Sequence, residues 1–234
     1  MRRILVPLLL ACALPATAAA PVDAFSLKFS VLRNGSGLGD GTMQFKPLRT
    51  GVWQFTTRVD GTGGLAGLAG AGVNETSTLN APGGQLTLFS NALETQLAWK
   101  TSRKTTALLK GGKEYQYTDG KSVRLADYAP QTLDRHSLTV ALVSDLRAGQ
   151  GPEFVYRALA KGRAESYTFR ITGEERLRTA LGVLDTVRVE RIRESSDGKR
   201  TRIWFAKSRG YLPVLIQELD RDGDDIEMRI AAIR

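Results

Sequence analysis

The chain has very little of what redox and metal chemistry need: one cysteine, Cys12, and one histidine, His136, in 234 residues. A lone cysteine forms no intrachain disulfide, and a lone histidine excludes every multi-histidine metal site. Long apolar runs are also missing after the first twenty residues, so no later segment reaches the roughly 18 apolar residues of a membrane-spanning helix. The fold must therefore be held by burial alone, which a chain of this length can supply.

The first residues, MRRILVPLLLACALPATAAAP, combine two arginines, a short apolar stretch and small residues before Pro21. This is the pattern of a secretory leader. Ala16-Thr17-Ala18 supplies an Ala-x-Ala cleavage site, so residues 1–18 are expected to be a signal peptide and 19–234 one β-rich domain. The destination expected is the periplasm. Leu9-Leu10-Ala11-Cys12 also reads as a lipobox, which makes a lipid anchor on Cys12 the minority alternative. With cleavage after Ala18 the mature chain has no thiol, and neither a thiol nucleophile nor a cysteine-bound metal is available.

The net charge is +9, and loss of Arg2 and Arg3 with the leader leaves +7. Export makes nucleic acid a poor partner. Anionic lipid head groups, acidic polysaccharide or an acidic protein patch suit the charge better, and a plain solvated surface is the preferred reading.

What the chain does have is strand periodicity. In residues 200–230, Ile203 to Ala206 form a continuous apolar run, Gly210 and Pro213 mark a turn and a strand start, and Asp222-Gly223 mark a hairpin. Ile226, Met228 and Ile230 then alternate with Glu227 and Arg229, the signature of a half-buried strand. Phe25, Leu27, Phe29 and Val31 alternate in the same way, followed by a glycine-rich turn at residues 34–41. Strands are expected near 42–48, 52–59, 73–79, 85–90, 97–109, 114–118, 122–125, 154–160, 167–171 and 184–192. One helix is expected at 137–148, with Leu138, Ala141, Leu142, Val143 and Leu146 in a stripe, Asp134 capping it and Gly149 ending it. The fold class is mainly β: a curved antiparallel sheet forming a half-barrel or barrel-like sandwich with one principal helix.

Residues 61–72, GTGGLAGLAGAG, are too rich in glycine for a regular element, and they carry Leu65 and Leu68. They fit a lid or a lipid-touching tip, but a long hairpin connection tucking two leucines onto the barrel end is the preferred reading. Trp53, Trp99, Trp204 and Tyr211 either fill the core or line an apolar cavity, two readings of near-equal weight in an open half-barrel. These four and the two leucines are the candidate ligand-binding residues.

Asp134, His136 and Ser137 are the residue types of a hydrolase triad. Neighbouring side chains at a helix start diverge, however, and there is no Gly-x-Ser-x-Gly elbow, so capping by Asp134 is the better account. Asp220, Asp222, Asp224, Asp225 and Glu227 suggest calcium, but glycine and glutamate do not fall at EF-hand positions, and a solvated hairpin tip is preferred. No catalytic residue, metal site or cofactor is assigned.

Several phrases together resemble a bacterial exported family, domain-of-unknown-function family 3108. They are Gly37–Gly41, Asp134-Arg135-His136-Ser137-Leu138, Leu146-Arg147-Ala148-Gly149, and Thr179-x-x-Gly182 with Thr186 and Val187. Trp204-Phe205-Ala206 with Tyr211-Leu212-Pro213-Val214 completes the set and is its most specific part. The resemblance covers most of the chain after the leader and brings no catalytic residues with it. A looser similarity, in the tryptophan strand, Leu-Pro turn and acidic hairpin, is to periplasmic lipoprotein carriers and receptors of the LolA/LolB type. It implies an antiparallel half-barrel with the helix on its concave side. The function expected is non-enzymatic binding of a lipid or acyl chain in a curved sheet, with peripheral membrane contact compatible with the charge. The alternative is an envelope interaction or assembly module that docks a protein partner.

Overall fold

The structure is a computed structural model that describes residues 22–62, 70–192, 200–221 and 223–234. Residues 1–21 with Cys12, residues 63–69 with Leu65 and Leu68, residues 193–199 and Asp222 lie outside the described residues. Eight strands come first: β1 (Phe25–Arg33), β2 (Ser36–Arg49), β3 (Val52–Gly61), β4 (Gly72–Asn80), β5 (Thr87–Leu97), β6 (Lys100–Leu108), β7 (Glu114–Asp119) and β8 (Ser122–Asp127). A short strand β9 (Leu133–Asp134) leads into helix α1 (Leu138–Arg147). Six strands follow: β10 (Glu153–Ala160), β11 (Arg163–Thr179), β12 (Gly182–Ile192), β13 (Arg200–Ala206), β14 (Leu212–Leu219) and β15 (Asp225–Ile233).

All fifteen form one sheet in the order β8-β7-β6-β5-β4-β3-β2-β1-β15-β14-β13-β12-β11-β10-β9. Every pairing is antiparallel except β9 with β10, which is parallel. The sheet curves but does not close: β8 and β9 are its two edges. This is the mainly β, open half-barrel expected from the strand periodicity, with one α-helix among the described residues.

Inward-facing side chains make the core. Phe25, Leu27, Phe29 and Val31 of β1 are all buried, as their alternation requires, and Phe45, Phe55 and Leu79 continue that face across β2, β3 and β4. Helix α1 buries Leu138, Val140, Ala141, Leu142, Val143 and Leu146. An apolar arc this wide must be surrounded, and the concave side of the sheet surrounds it.

Local chemistry fixes both ends of the helix. Asp134 Oδ1 accepts the Ser137 N–H at 2.7 Å, and the Asp134 N–H donates to Ser137 Oγ at 3.2 Å, so Asp134 closes the turn ahead of α1. At the other end the Gly149 N–H donates to Leu146 O and the Gln150 N–H to Asp145 O, with Gly149 at φ +71°. That pair of bonds is a Schellman motif, which needs a residue at ease in the left-handed region. Arg147 Nε then donates to Gly210 O at 2.7 Å and its Nη1 to Asp23 at 2.9 Å, pinning the helix end to one rim of the sheet.

Two expectations are corrected. The glycine-rich residues 34–41 are not all turn: the turn is Asn34-Gly35, both at positive φ, and β2 starts at Ser36. The later glycines serve close approach instead. A Cβ on Gly39 would lie 2.0 Å from Asp60 O, and one on Gly41 would lie 2.9 Å from Met228 Cε. The strand expected over 97–109 starts three residues later: β5 runs on to Leu97, Ala98 and Trp99 form the turn, and β6 is Lys100–Leu108.

Candidate functional site: a cavity in the half-barrel

Sheet and helix leave a cavity of about 470 Å³ between them, a size that suits a small amphiphile. Its apolar wall comes from both halves of the chain, with Met43, Leu138, Leu142, Leu159, Ile203 and Ile216 prominent. Val73, Lys104, Lys161, Arg191 and Ile226, which also line it, sit close to the turns of a single rim, opposite the rim where Arg147 pins the helix. The cavity thus runs from the start of α1 toward an opening whose edge carries Lys104, Lys161 and Arg191 along with Glu218. Arg191 lies over the Tyr167 ring at 4.0 Å from its centroid, a cation–π contact. Lys104 pairs with Asp119 at 3.1 Å.

The inner end is polar. The His136 ring stacks on Phe55, centroids 4.2 Å apart, with Nδ1 2.8 Å from Ser77 Oγ and Nε2 2.8 Å from Thr57 Oγ1. In the neutral ring one nitrogen donates and the other accepts, so the two hydroxyls complete its requirements. Asn91 Nδ2 donates to Ser77 Oγ at 3.1 Å and to Glu75 Oε1 at 3.0 Å. Thr57, Glu75, Asn91 and His136 all face the cavity.

Burial sets the protonation of this cluster. His136 is half-buried at the cavity wall, and desolvation by the groups packed around it pushes its pKa down to about 3. It is neutral at physiological pH. Desolvation, with the nearby Asp134 charge, pushes Glu75 up to about 7, against the opposing pull of Asn91 and Arg135. Asp134 is 4 % exposed, and desolvation raises its pKa too, opposed by hydrogen bonds from Ser137 and Ser77. A half-buried carboxyl group beside a buried one of the same charge keeps its proton more readily than it would alone.

Asp134, His136 and Ser137 do not assemble as a triad. His136 is held between two hydroxyls, Ser77 is fully buried, and the Asp134 carboxylate serves the helix start. The acidic hairpin is likewise occupied by its own turn. Asp224 accepts from Asn34 at 3.1 Å and pairs with Arg33, Asp225 accepts from Gln217 at 2.9 Å, and Asp220 Oδ1 accepts the Asp224 N–H at 3.1 Å. Among the described residues no three His, Cys, Asp or Glu side chains gather in a metal-binding group.

The four aromatic candidates are not brought together, and none lines the cavity. Trp53 stacks on Phe45 at 4.7 Å and forms part of a shallow groove with Pro47, Leu48 and Arg49. Trp204 is 7 % exposed in the core and donates from Nε1 to Glu175 Oε1 at 2.7 Å. Tyr211 packs against the core from the turn after β13. Trp99 is 97 % exposed at the β5–β6 turn. The cavity residues that sequence reasoning missed carried one readable signal: Glu75 and Ser77 fall in phase with the buried Leu79 on an alternating strand, so polar groups had to face inward.

Fold and cavity together define an open antiparallel half-barrel with an internal helix, a container-like architecture. The chain belongs to the family described as protein of unknown function (DUF3108), whose model matches residues 25–231. Nothing among curated proteins matches it. A beta-barrel-like protein of the domain of unknown function DUF1849 from Brucella abortus shares its fold at a TM-score of 0.55 and 11% identity, covering 92% of this chain and 98% of that one. A domain from Vibrio parahaemolyticus described as a candidate outer membrane lipoprotein-sorting protein aligns over 90% of this chain and 83% of its own, at 12% identity. Its TM-score of 0.24 is too low for any shared property to follow.

Proposed function

We propose that this protein is an exported, non-enzymatic module of the cell envelope that holds the apolar part of an amphiphile inside its half-barrel. The observation that carries the reading is the cavity itself, walled largely by apolar side chains between its polar inner end and a rim that carries Lys104, Lys161 and Arg191. An acyl chain gains about 0.8 kcal/mol for each methylene it removes from water. An anionic head group at the opening would have Lys104, Lys161 and Arg191 within the rim to meet it. The non-enzymatic part is supported by the inner cluster, where the imidazole is neutral and engaged on both nitrogens, by the fully buried Ser77 on one side and by Thr57 on the other.

The test is native mass spectrometry of protein purified from a periplasmic extract, followed by solvent extraction and titration with a fluorescent fatty acid. The expected result is a stoichiometric extra mass that resolves into a lipid. Ile216→Trp, which fills the cavity from its wall, should unfold as cooperatively as the natural protein yet bind neither ligand. A clean mass together with no fatty-acid binding sinks the proposal.

A protein-docking reading has its own observation. Edge strand β8 pairs only with β7 among the described residues and exposes Val123 and Leu125, as a strand-addition site would. Crosslinking from β8 in cells would capture an extended partner segment if this reading is right.

A further inference from the structure

Trp99 is unexplained by core or cavity. It is 97 % exposed, and Leu97 beside it is 62 % exposed. Two large apolar side chains side by side in water make a small apolar patch rather than a scattered single residue. Both belong to the β5–β6 hairpin, which β4 accompanies as far as Gln96 on one side and which outruns β7 on the other. β6 begins at Lys100 but meets β7 only from Lys104, so its first four residues run past the end of β7, about 14 Å at the rise of an antiparallel strand.

The charge around this tip has one sign in excess. Its nearest carboxylates are already engaged, Glu94 by Arg103 at 3.2 Å and Asp119 by Lys104 at 3.1 Å. Lys100, at the tip, and Lys121, in the β7–β8 turn, are exposed and have no ion-pair partner among the described residues. The β10–β11 turn adds the exposed Lys161 and lies against the β7–β8 hairpin, where Arg124 Nη1 donates to Lys161 O at 3.0 Å. The tip therefore presents an indole and a leucine in front of a row of lysines, on the rim where the cavity opens.

We propose that the β5–β6 hairpin docks the protein on an anionic phospholipid bilayer, with Trp99 and Leu97 in the interfacial layer and Lys100, Lys121 and Lys161 against the head groups. Tryptophan is favoured at the boundary between head groups and acyl chains because its ring is apolar and its N–H still reaches a polar partner. Each lysine close to an anionic surface adds attraction that salt screens. Docked this way, the protein turns the open rim of its cavity to the membrane. Docking itself does not require the cavity to be filled, so it stands or falls apart from ligand binding.

The three tryptophans allow a direct test, because Trp204 is buried, Trp53 is stacked on Phe45 and only Trp99 is fully in water. Vesicles of phosphatidylglycerol and phosphatidylethanolamine should shift the emission to the blue and expose it to quenching by brominated acyl chains. Phosphatidylcholine vesicles should do neither, and high salt should weaken the effect. Trp99→Ala, which disturbs no packed contact, should lower co-sedimentation with the anionic vesicles at least about tenfold, given the area an indole buries. Lys100→Glu with Lys121→Glu should do the same, whereas Ile216→Trp should dock like the natural protein. The proposal is overturned if Trp99→Ala partitions as the natural protein does. It is equally overturned if the emission ignores vesicles, or if a blue shift appears without them and grows with protein concentration, which would mark a contact between copies.

Discussion

The inner end of the cavity makes a prediction about acid stability in which two neighbouring residues pull in opposite directions. Burial lowers the His136 pKa from 6.5 to about 3. The unfolded chain therefore takes up a proton below pH 6.5 that the folded chain refuses, and stability is lost as pH falls through that window. Glu75 is the reverse case, raised from 4.5 to about 7. The folded chain holds a proton there that the unfolded chain has released, so this stability is fully present below pH 4.5 and disappears as pH rises through 7. Between pH 7 and 4.5 each effect amounts to about 2–3 kcal/mol, at 1.36 kcal/mol for each unit of pKa, and the two nearly cancel. Removing one should uncover the other. Relative to the natural protein, Glu75→Gln should lose about 2–3 kcal/mol over that range, and His136→Phe should gain a similar amount. Urea unfolding followed by tryptophan emission at several pH values measures both slopes. A constant fixed cost, such as the unpaired hydroxyls left by His136→Phe, shifts a curve without tilting it. If the His136→Phe and natural curves stay parallel, the imidazole protonates normally in the folded protein and the desolvated cluster described above is wrong.

Two further substitutions probe the frame around the cavity. Trp204→Phe removes the Nε1 donor to Glu175 and some buried ring, and should cost about 1–3 kcal/mol by urea denaturation; a change under about 0.5 kcal/mol would mean the bond contributes nothing net. Gly39→Ala puts a methyl group 2.0 Å from Asp60 O and should lower the thermal midpoint by a cost of more than about 3 kcal/mol, while Gly37→Ala, with nothing within 4 Å, should leave it unmoved. Equal midpoints for the two would refute the close β2–β3 approach.

Much of the sheet was legible because strand period and burial agree: Phe25, Leu27, Phe29 and Val31 announce β1, and each is buried. The helix was legible for a similar reason, since its apolar stripe is bounded by Asp134 and Gly149, whose hydrogen bonds set its ends. The β5 strand was not. A register shift between Thr78 and Leu79 of β4, facing Ser90 and Leu88 of β5, puts Leu88 in the core and Phe89 outward, and then turns Asn91 inward. A bulge of this kind breaks the alternation on which the reading depends. Trp99 was misplaced with it, because its hairpin turn, Ala98-Trp99, carries neither glycine nor asparagine; Ala98 takes φ +52° instead. The polar end of the cavity draws Thr57, Glu75, Ser77, Asn91 and His136 from three strands and the approach to the helix, and no local spacing links them.

The strand order has a consequence for how the chain finds its shape. Of the fourteen neighbour pairs in the sheet, thirteen join strands consecutive in sequence, and the exception is β1 with β15. The two ends of the described chain meet there, Leu27 opposite Ile233. Two meanders, β1–β8 and β9–β15, can each grow hairpin by hairpin with short loops. Joining them closes a loop of about 200 residues, where the entropy lost grows as the logarithm of loop length. That seam runs through the middle of the sheet, not along its open edges. A polypeptide with the same strands, joined at the present ends and cut between β8 and β9, would pair only consecutive strands. The position of the cut alone makes the central seam the most costly one to form.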